Sequence, residues 1–120
     1  MIIVYGLKNC DTCKRAMKWL EGQGIEAILH DLRDDGLEES QLKLWVAELG
    51  WENVLNRRGT TWRKLPAPHT KDVNEASATG LMAAHPELIK RPVFDLGNTR
   101  VCGFRDQEKE IIRREYDADA

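Results

Sequence analysis

An α/β fold with a mixed four-stranded sheet is predicted for this 120-residue chain on three observations. The run Ile2-Ile3-Val4-Tyr5 is continuously apolar, as a strand buried on both faces is. A helical stretch and a second short apolar run follow within the first thirty residues, the β-α-β arrangement that implies parallel strands and a right-handed crossover. Near the other end, two strand-like runs flank Gly97-Asn98, a hairpin-type turn, and a helix-forming stretch comes last.

Each element has its own signal. The first helix is expected over about residues 11–21, with Cys13, Ala16, Met17 and Leu20 as its core stripe and Gly22-Gln23-Gly24 as its stop. Residues 25–30 read as the second strand and residues 31–36 as a polar turn. Leu42, Trp45, Val46 and Leu49 repeat at helical spacing, with Glu38 and Glu39 at the start and Gly50 past the end, which makes Trp45 a core residue. Residues 51–56 suggest a further helical turn, residues 56–61 a polar, basic break at Gly59, and Pro66-Ala67-Pro68 a loop. Asp72-Val73-Asn74-Glu75 matches a capping box that opens a helix to about Ala84, before Pro86. Strands over 93–96 and 100–104 and a helix over 106–116 complete the chain, with residues 117–120 as a frayed tail. This is the thioredoxin order with a helical insertion at about 37–85, so one thioredoxin-like domain is expected over 1–116.

Composition excludes several classes. Hydrophobic residues make up 42% and charged residues 32%, the balance of a folded globule rather than a disordered chain. A net charge of −2 implies no general affinity for nucleic acid or membrane. No apolar run is long enough to span a bilayer, and no signal-peptide pattern follows Met1. Three cysteines suit no closed disulfide framework, so a reducing, cytoplasmic location is expected, with any disulfide transient.

Chemistry concentrates at Cys10-Asp11-Thr12-Cys13, where the first strand ends and the first helix begins. A CxxC at that junction reads as a redox site. Cys10 falls near the free N–H groups and positive dipole end of a helix start, with Lys8, Lys14 and Arg15 close in sequence, and all of these favour the thiolate. A zinc site wants four ligands, and only Cys102 and the scattered His30, His69 and His85 remain, so no metal is expected. The competing reading of free cysteines is that they are small buried hydrophobes. Cys10 follows the polar Lys8-Asn9 turn, which places it at the surface, whereas Cys13 lies on the core stripe. Cys102 shares a strand face with Arg100 and Phe104 and reads as a buried structural cysteine. Neither His30 nor His85 has a cysteine or acid in a readable pairing along the sequence, so they receive no catalytic role. Neither GxGxxG nor a P-loop is present, so no bound nucleotide or flavin is expected.

Longer phrases then carry a resemblance. Residues Tyr5 to Thr12, Leu49-Gly50-Trp51, Leu55 to Leu65 and Ile89 to Val93, with Gly103-Phe104 on the last strand, together resemble the YffB branch of the arsenate reductase (ArsC)/Spx family, in order over about residues 1–116. The resemblance implies a thioredoxin-like sheet with a helical insertion, a reactive cysteine at Cys10, and arginines that cradle an oxyanion or thiol-linked anion. Arg58 and Arg91 match two of these arginines, with Arg57 an alternative to Arg58. Arg105 is the nearest candidate for a third, although two residues intervene where the family arginine follows directly. Arginine suits the task because its planar, permanently charged fork offers paired donors. Pro92 matches the cis-proline that faces the cysteine in thioredoxin-like folds. Lys8 and Asn9 are anion-binding candidates by adjacency alone.

The function so implied is that of a glutathione-using thiol reductase, arsenate reductase-like. Cys10 would attack the oxidised sulfur of a glutathione adduct or the arsenic of arsenate, with glutathione as co-substrate and no bound cofactor. Cys13 leaves two cycles open: external glutathione alone, or an internal Cys10–Cys13 disulfide. A monomer with a small anionic or disulfide substrate is expected, with no direct nucleic-acid or membrane partner. The rival reading is an Spx-like regulator that binds RNA polymerase and uses the CxxC as a redox sensor.

Overall fold

The apolar run at the start becomes β1 (Ile2–Gly6), an inner strand of a four-stranded sheet ordered β2-β1-β3-β4. The computed structural model describes the backbone of residues 1–119 and side chains through residue 116. Helix α1 (Asp11–Gly22) carries the chain across to β2 (Ala27–Asp31), which runs parallel to β1 with Ile2 opposite Ala27 and Gly6 opposite Asp31. β3 (Val93–Asp95) lies antiparallel to β1 on its other side, and β4 (Arg100–Cys102) antiparallel to β3. Helix α7 (Asp106–Asp119) ends the described chain. The fold is therefore α/β with a mixed sheet in the thioredoxin order.

Strand alternation sorts side chains onto two faces. Ile2, Val4, Phe94 and Val101 share one face and form the core with Ala16 and Leu20 of α1, Ile25, and Ile112 of α7. Phe94 is fully buried there, between Val4 and Val101 in the register. The opposite face is more polar. On it Tyr5 and His30 hold their rings 4.8 Å apart, and Arg100 Nε lies 3.7 Å from Asp95 Oδ1. The hairpin strands are shorter than expected. The Leu96 N–H already bonds the Thr99 carbonyl to close the turn, and Gly103 leaves the strand at φ +105.

The chain divides into two compact units, residues 1–35 with 91–120 and residues 36–90. The second unit is helical: α2 (Glu39–Leu49), α3 (Trp51–Val54), α4 (Thr60–Lys64), α5 (Ala67–Thr70), α6 (Glu75–Ala84) and a 3-10 turn at Pro86–Leu88. α2 packs on α3 and α6, and Trp45, Val54 and Met82 are fully buried. A bridge between Leu55 and Ile89 ties the end of α3 to the unit's last residues, flanked by Asn56 N–H to Leu88 O at 2.7 Å and Lys90 N–H to Val54 O at 2.8 Å.

Three expectations need correction. The loop expected at Pro66-Ala67-Pro68 leads into α5, because proline is tolerated in a first helical turn. The stretch 56–61, read as irregular, runs into α4 from Gly59 onward. The capping box of α6 is made by Asn74 and Ser77, not begun at Asp72, and its reciprocal bonds are both 2.9 Å. Asp72 instead takes a left-handed φ of 55° that directs the chain into the helix. The α7 backbone is helical through Asp119, and Ala120 lies outside the described residues. Among the described residues, no helix is long and apolar enough to cross a membrane.

Candidate functional site

The end of β1 and the start of α1 build the site. Cys10 occupies the N-cap position with extended backbone angles, and its N–H donates to the Leu7 carbonyl at 3.1 Å. The turn it stands on is anchored from β2. Asp31, at the end of that strand and 4% exposed, accepts the Lys8 N–H at 2.9 Å and the Arg33 and Asp34 N–H groups at 2.8 Å each. The N–H groups of Asp34 and Lys8 hold its carboxyl below the usual carboxylate range. Leu32 N–H to Gly6 O, at 2.9 Å, adds a second tie. The Cys10 turn is thus braced against a strand more than twenty residues away in sequence.

The two thiols of the motif are not equivalent. Cys10 is half-buried, while Cys13 is 1% exposed. Burial works against the Cys10 thiolate, but the Cys13 backbone N–H, the Cys13 thiol and the Arg91 guanidinium outweigh it, and the Cys10 thiol lies below its ordinary range. Burial first, then the neighbouring Cys10, push Cys13 the other way, up to about 12, against the Leu7 backbone and Arg91. The thiolate is thus favoured at Cys10 and the protonated thiol at Cys13. A groove of about 770 Å³ along α1 and β2 is lined by Cys13, Met17 and Leu29 but not by Cys10.

Arg91 precedes Pro92 through a cis peptide bond, and Pro92 O accepts the Gly103 N–H at 2.9 Å. The Arg91 guanidinium acts on both Cys10 and Cys13, which groups the three side chains at one site. Arg105 is engaged elsewhere. Its Nε and a terminal nitrogen donate to the two oxygens of Glu108 at 2.9 and 3.0 Å, and its backbone N–H also bonds Glu108 at 2.9 Å, which caps α7. Gly103 fits beside this cap because a Cβ there would come within 3.1 Å of Glu108 Oε1. Cys102 pairs with Val93 across the hairpin and is half-exposed rather than buried as expected, because it sits on the less covered sheet face at the strand's end.

Arg58 belongs to the helical unit. Its N–H bonds Asn56 Oδ1 at 3.0 Å, its carbonyl accepts from Arg63 at 2.7 Å, and its side chain is exposed. Arg57 lies over the Trp51 ring at 5.5 Å, whereas the Arg58 guanidinium has no carboxylate or ring partner among the described residues. Lys8 pairs with Asp34 at 2.9 Å in the open, and Asn9 is exposed. No cluster suited to a metal ion occurs among the described residues. Sequence reasoning missed Asp31 and Glu108, each of which acts through a partner that local patterns do not reveal. The only available signal was an acid at a strand end or helix start.

A family model described as the ArsC family matches residues 5–112. An uncharacterized protein of Haemophilus influenzae is 42% identical over 108 residues, spanning 90% of this chain and 95% of that protein. A global transcriptional regulator Spx of Lactiplantibacillus plantarum is 30% identical over 119 residues, covering 95% of this chain and 85% of the regulator. Among solved structures, a YFFB protein superposes with TM-score 0.87 at 41% identity, covering 92% of this chain and 97% of its own. An arsenate reductase (ArsC) related protein from Brucella melitensis gives 0.76 at 42% identity, covering 92% of each chain.

Proposed function

Because the chain belongs to the ArsC family, we propose that it is a thiol-dependent reductase that uses glutathione as co-substrate and Cys10 as nucleophile. The observation that carries this reading is the asymmetry of the CxxC pair: a half-buried Cys10 whose thiolate is favoured, beside a buried Cys13 that keeps its proton. A thiolate is the nucleophilic form of cysteine, and a lowered pKa increases its share.

On a mixed glutathione disulfide, the Cys10 thiolate attacks the glutathione sulfur. A Cys10–S–S–glutathione bond forms, the original S–S bond breaks, and the other thiol leaves as its thiolate. A glutathione thiolate then attacks the glutathione sulfur of that intermediate, which releases oxidised glutathione and restores Cys10. Arg91 holds negative charge at the reacting sulfur, and Arg58 is assigned to the anionic part of the substrate. Arg105, Lys8 and Asn9 take no direct part in this reading. The protein acts as a cytosolic monomer without a bound cofactor or metal. Arsenate is the second electrophile to test.

The experiment is a turnover assay with arsenate, with a mixed glutathione disulfide, and with glutathione alone, on the intact chain and on Cys10→Ser. Turnover of either electrophile that requires both glutathione and Cys10 supports the proposal, and no turnover of either refutes it. The second reading, a polymerase-binding redox regulator, is favoured by the CxxC and the 30% identity to an Spx regulator. Retention of the RNA polymerase alpha subunit by this chain in a pull-down would support it. The protonated, buried Cys13 favours the enzyme.

A further inference from the structure

Gly6 is the last residue of β1, on the face that α1 covers. Its backbone is not in the left-handed region, unlike Gly24, Gly36, Gly50, Gly97 and Gly103. Glycine is therefore not demanded there by conformation. It is demanded by space. A Cβ on Gly6 would stand 2.5 Å from Cys13 Sγ, 3.3 Å from Cys13 Cβ and 3.5 Å from Leu29 Cδ1. Non-bonded carbon contacts are comfortable only at about 3.5–4.0 Å. The shortest approach falls on the sulfur, the Cys13 Cβ is also closer than ordinary contact, and only Leu29 Cδ1 stands at an ordinary distance. The Cys13 thiol is packed against the bare Cα of β1, at 1% exposure, with its neighbours Ala16 and Leu20 fully buried on the same helix face.

We infer that Gly6 is a positioning residue for the thiol pair: its missing side chain is the seat that holds the Cys13 thiol as a hydrogen-bond donor to the Cys10 thiolate, and Cys13 serves the site as that donor rather than as a second nucleophile. This rests on Cys10 being the reactive cysteine in the proposed function. Cys13, being buried, keeps its proton across the neutral range, as a donor must. A donor fixed at the sulfur lowers the free energy of the anion without adding a charge that the buried side would have to accommodate.

The test reads iodoacetamide alkylation of Cys10 against pH, by mass spectrometry, with no glutathione or arsenate present. Failure here is thus separate from failure of the turnover reading. The variants are Gly6→Ala, Cys13→Ala, the double variant and Cys13→Ser. Loss of one hydrogen bond to a charged group predicts that Cys13→Ala raises the Cys10 midpoint by roughly one pH unit. Gly6→Ala shifts it in the same direction, the double variant shifts it no further than Cys13→Ala alone, and Cys13→Ser, which keeps a donor, stays near the parent. An unmoved midpoint in Cys13→Ala overturns the donor role. A Gly6→Ala shift that persists in full on the Cys13→Ala background overturns the seat. Where Gly6→Ala alone does not fold, recovery of the fold in the double variant supports the steric pairing, and its failure to recover overturns it.

Discussion

Removing the Arg91 guanidinium raises the Cys10 thiol, and the size of the effect follows from the site. Arg91 acts on Cys10 both as hydrogen-bond donor and as cation, and both contributions favour the anion. A hydrogen bond to a charged group contributes about 1.5–3 kcal/mol. Cys10 is only half-buried, so water replaces part of what is lost and the lower end applies. About 1.4 kcal/mol is one pKa unit. Arg91→Ala should therefore move the alkylation midpoint of Cys10 up by about one pH unit, with roughly tenfold slower labelling at pH values below the parent midpoint. The midpoint is the proper readout, because a thiolate of higher pKa is intrinsically the better nucleophile and a single-pH rate mixes the two effects. Arg91→Lys restores the charge but not the fork and should recover only part of the shift. Under the proposed function, catalytic efficiency on a mixed glutathione disulfide should fall at least as far in Arg91→Ala, because that reading also assigns Arg91 to the negative charge at the reacting sulfur. Folding is checked by circular dichroism. Midpoints unchanged in both variants would remove Arg91 from the site.

The other predictions concern the second thiol, the α7 cap, the core and the α6 cap. Cys13→Ser should retain most glutathione-dependent turnover, and one equivalent of diamide should not convert the parent's Cys10 and Cys13 into a disulfide; peptide mapping that finds that bond contradicts this. Glu108 lies below the usual carboxylate range chiefly through its bond to the Arg105 side chain, against burial and with the Arg105 backbone N–H. A depressed carboxyl stabilises the fold above its unfolded pKa, about 4.3, and that stability is lost as pH falls through the folded value. The melting-temperature gap between parent and Glu108→Gln should thus be widest above about pH 5 and narrow toward pH 3, and a constant gap would refute the cap's charge. Phe94→Ala, at a fully buried position, should cost about 3–5 kcal/mol in urea unfolding. Asn74→Ala removes the α6 cap and should cost about 1 kcal/mol in the same measurement.

Much of the fold was legible because its signals are local. β1 announces itself by an unbroken apolar run, α1 and α2 by stripes at helical spacing, and the hairpin by Gly97-Asn98. The same locality explains the errors. Pro66 to Pro68 reads as a breaker when only composition is counted, yet proline suits a helix's first turn, where its missing N–H has no partner to lose. The α6 cap was sought two residues early because several residues there have capping side chains, and the backbone angle at Asp72 selects among them.

For the site, the sequence by itself determined that a cysteine pair stands where a strand meets a helix and that Arg91 precedes a proline. Spacing also put Cys13 on the buried stripe and Cys10 after a polar turn, which is enough to rank the two thiols. Tertiary structure alone decided what surrounds them. Asp31 reaches Lys8 across twenty-three residues, a pairing that exists only once β2 lies beside β1. Glu108 takes up the Arg105 fork, which no count of arginines reveals. Gly6 looks like any glycine at a strand end until α1 packs and brings the Cys13 sulfur to its Cα. The physical reason is the same in each case. Periodicity records which face of an element is apolar, whereas pKa, donor geometry and steric room depend on atoms brought close by packing from elsewhere in the chain.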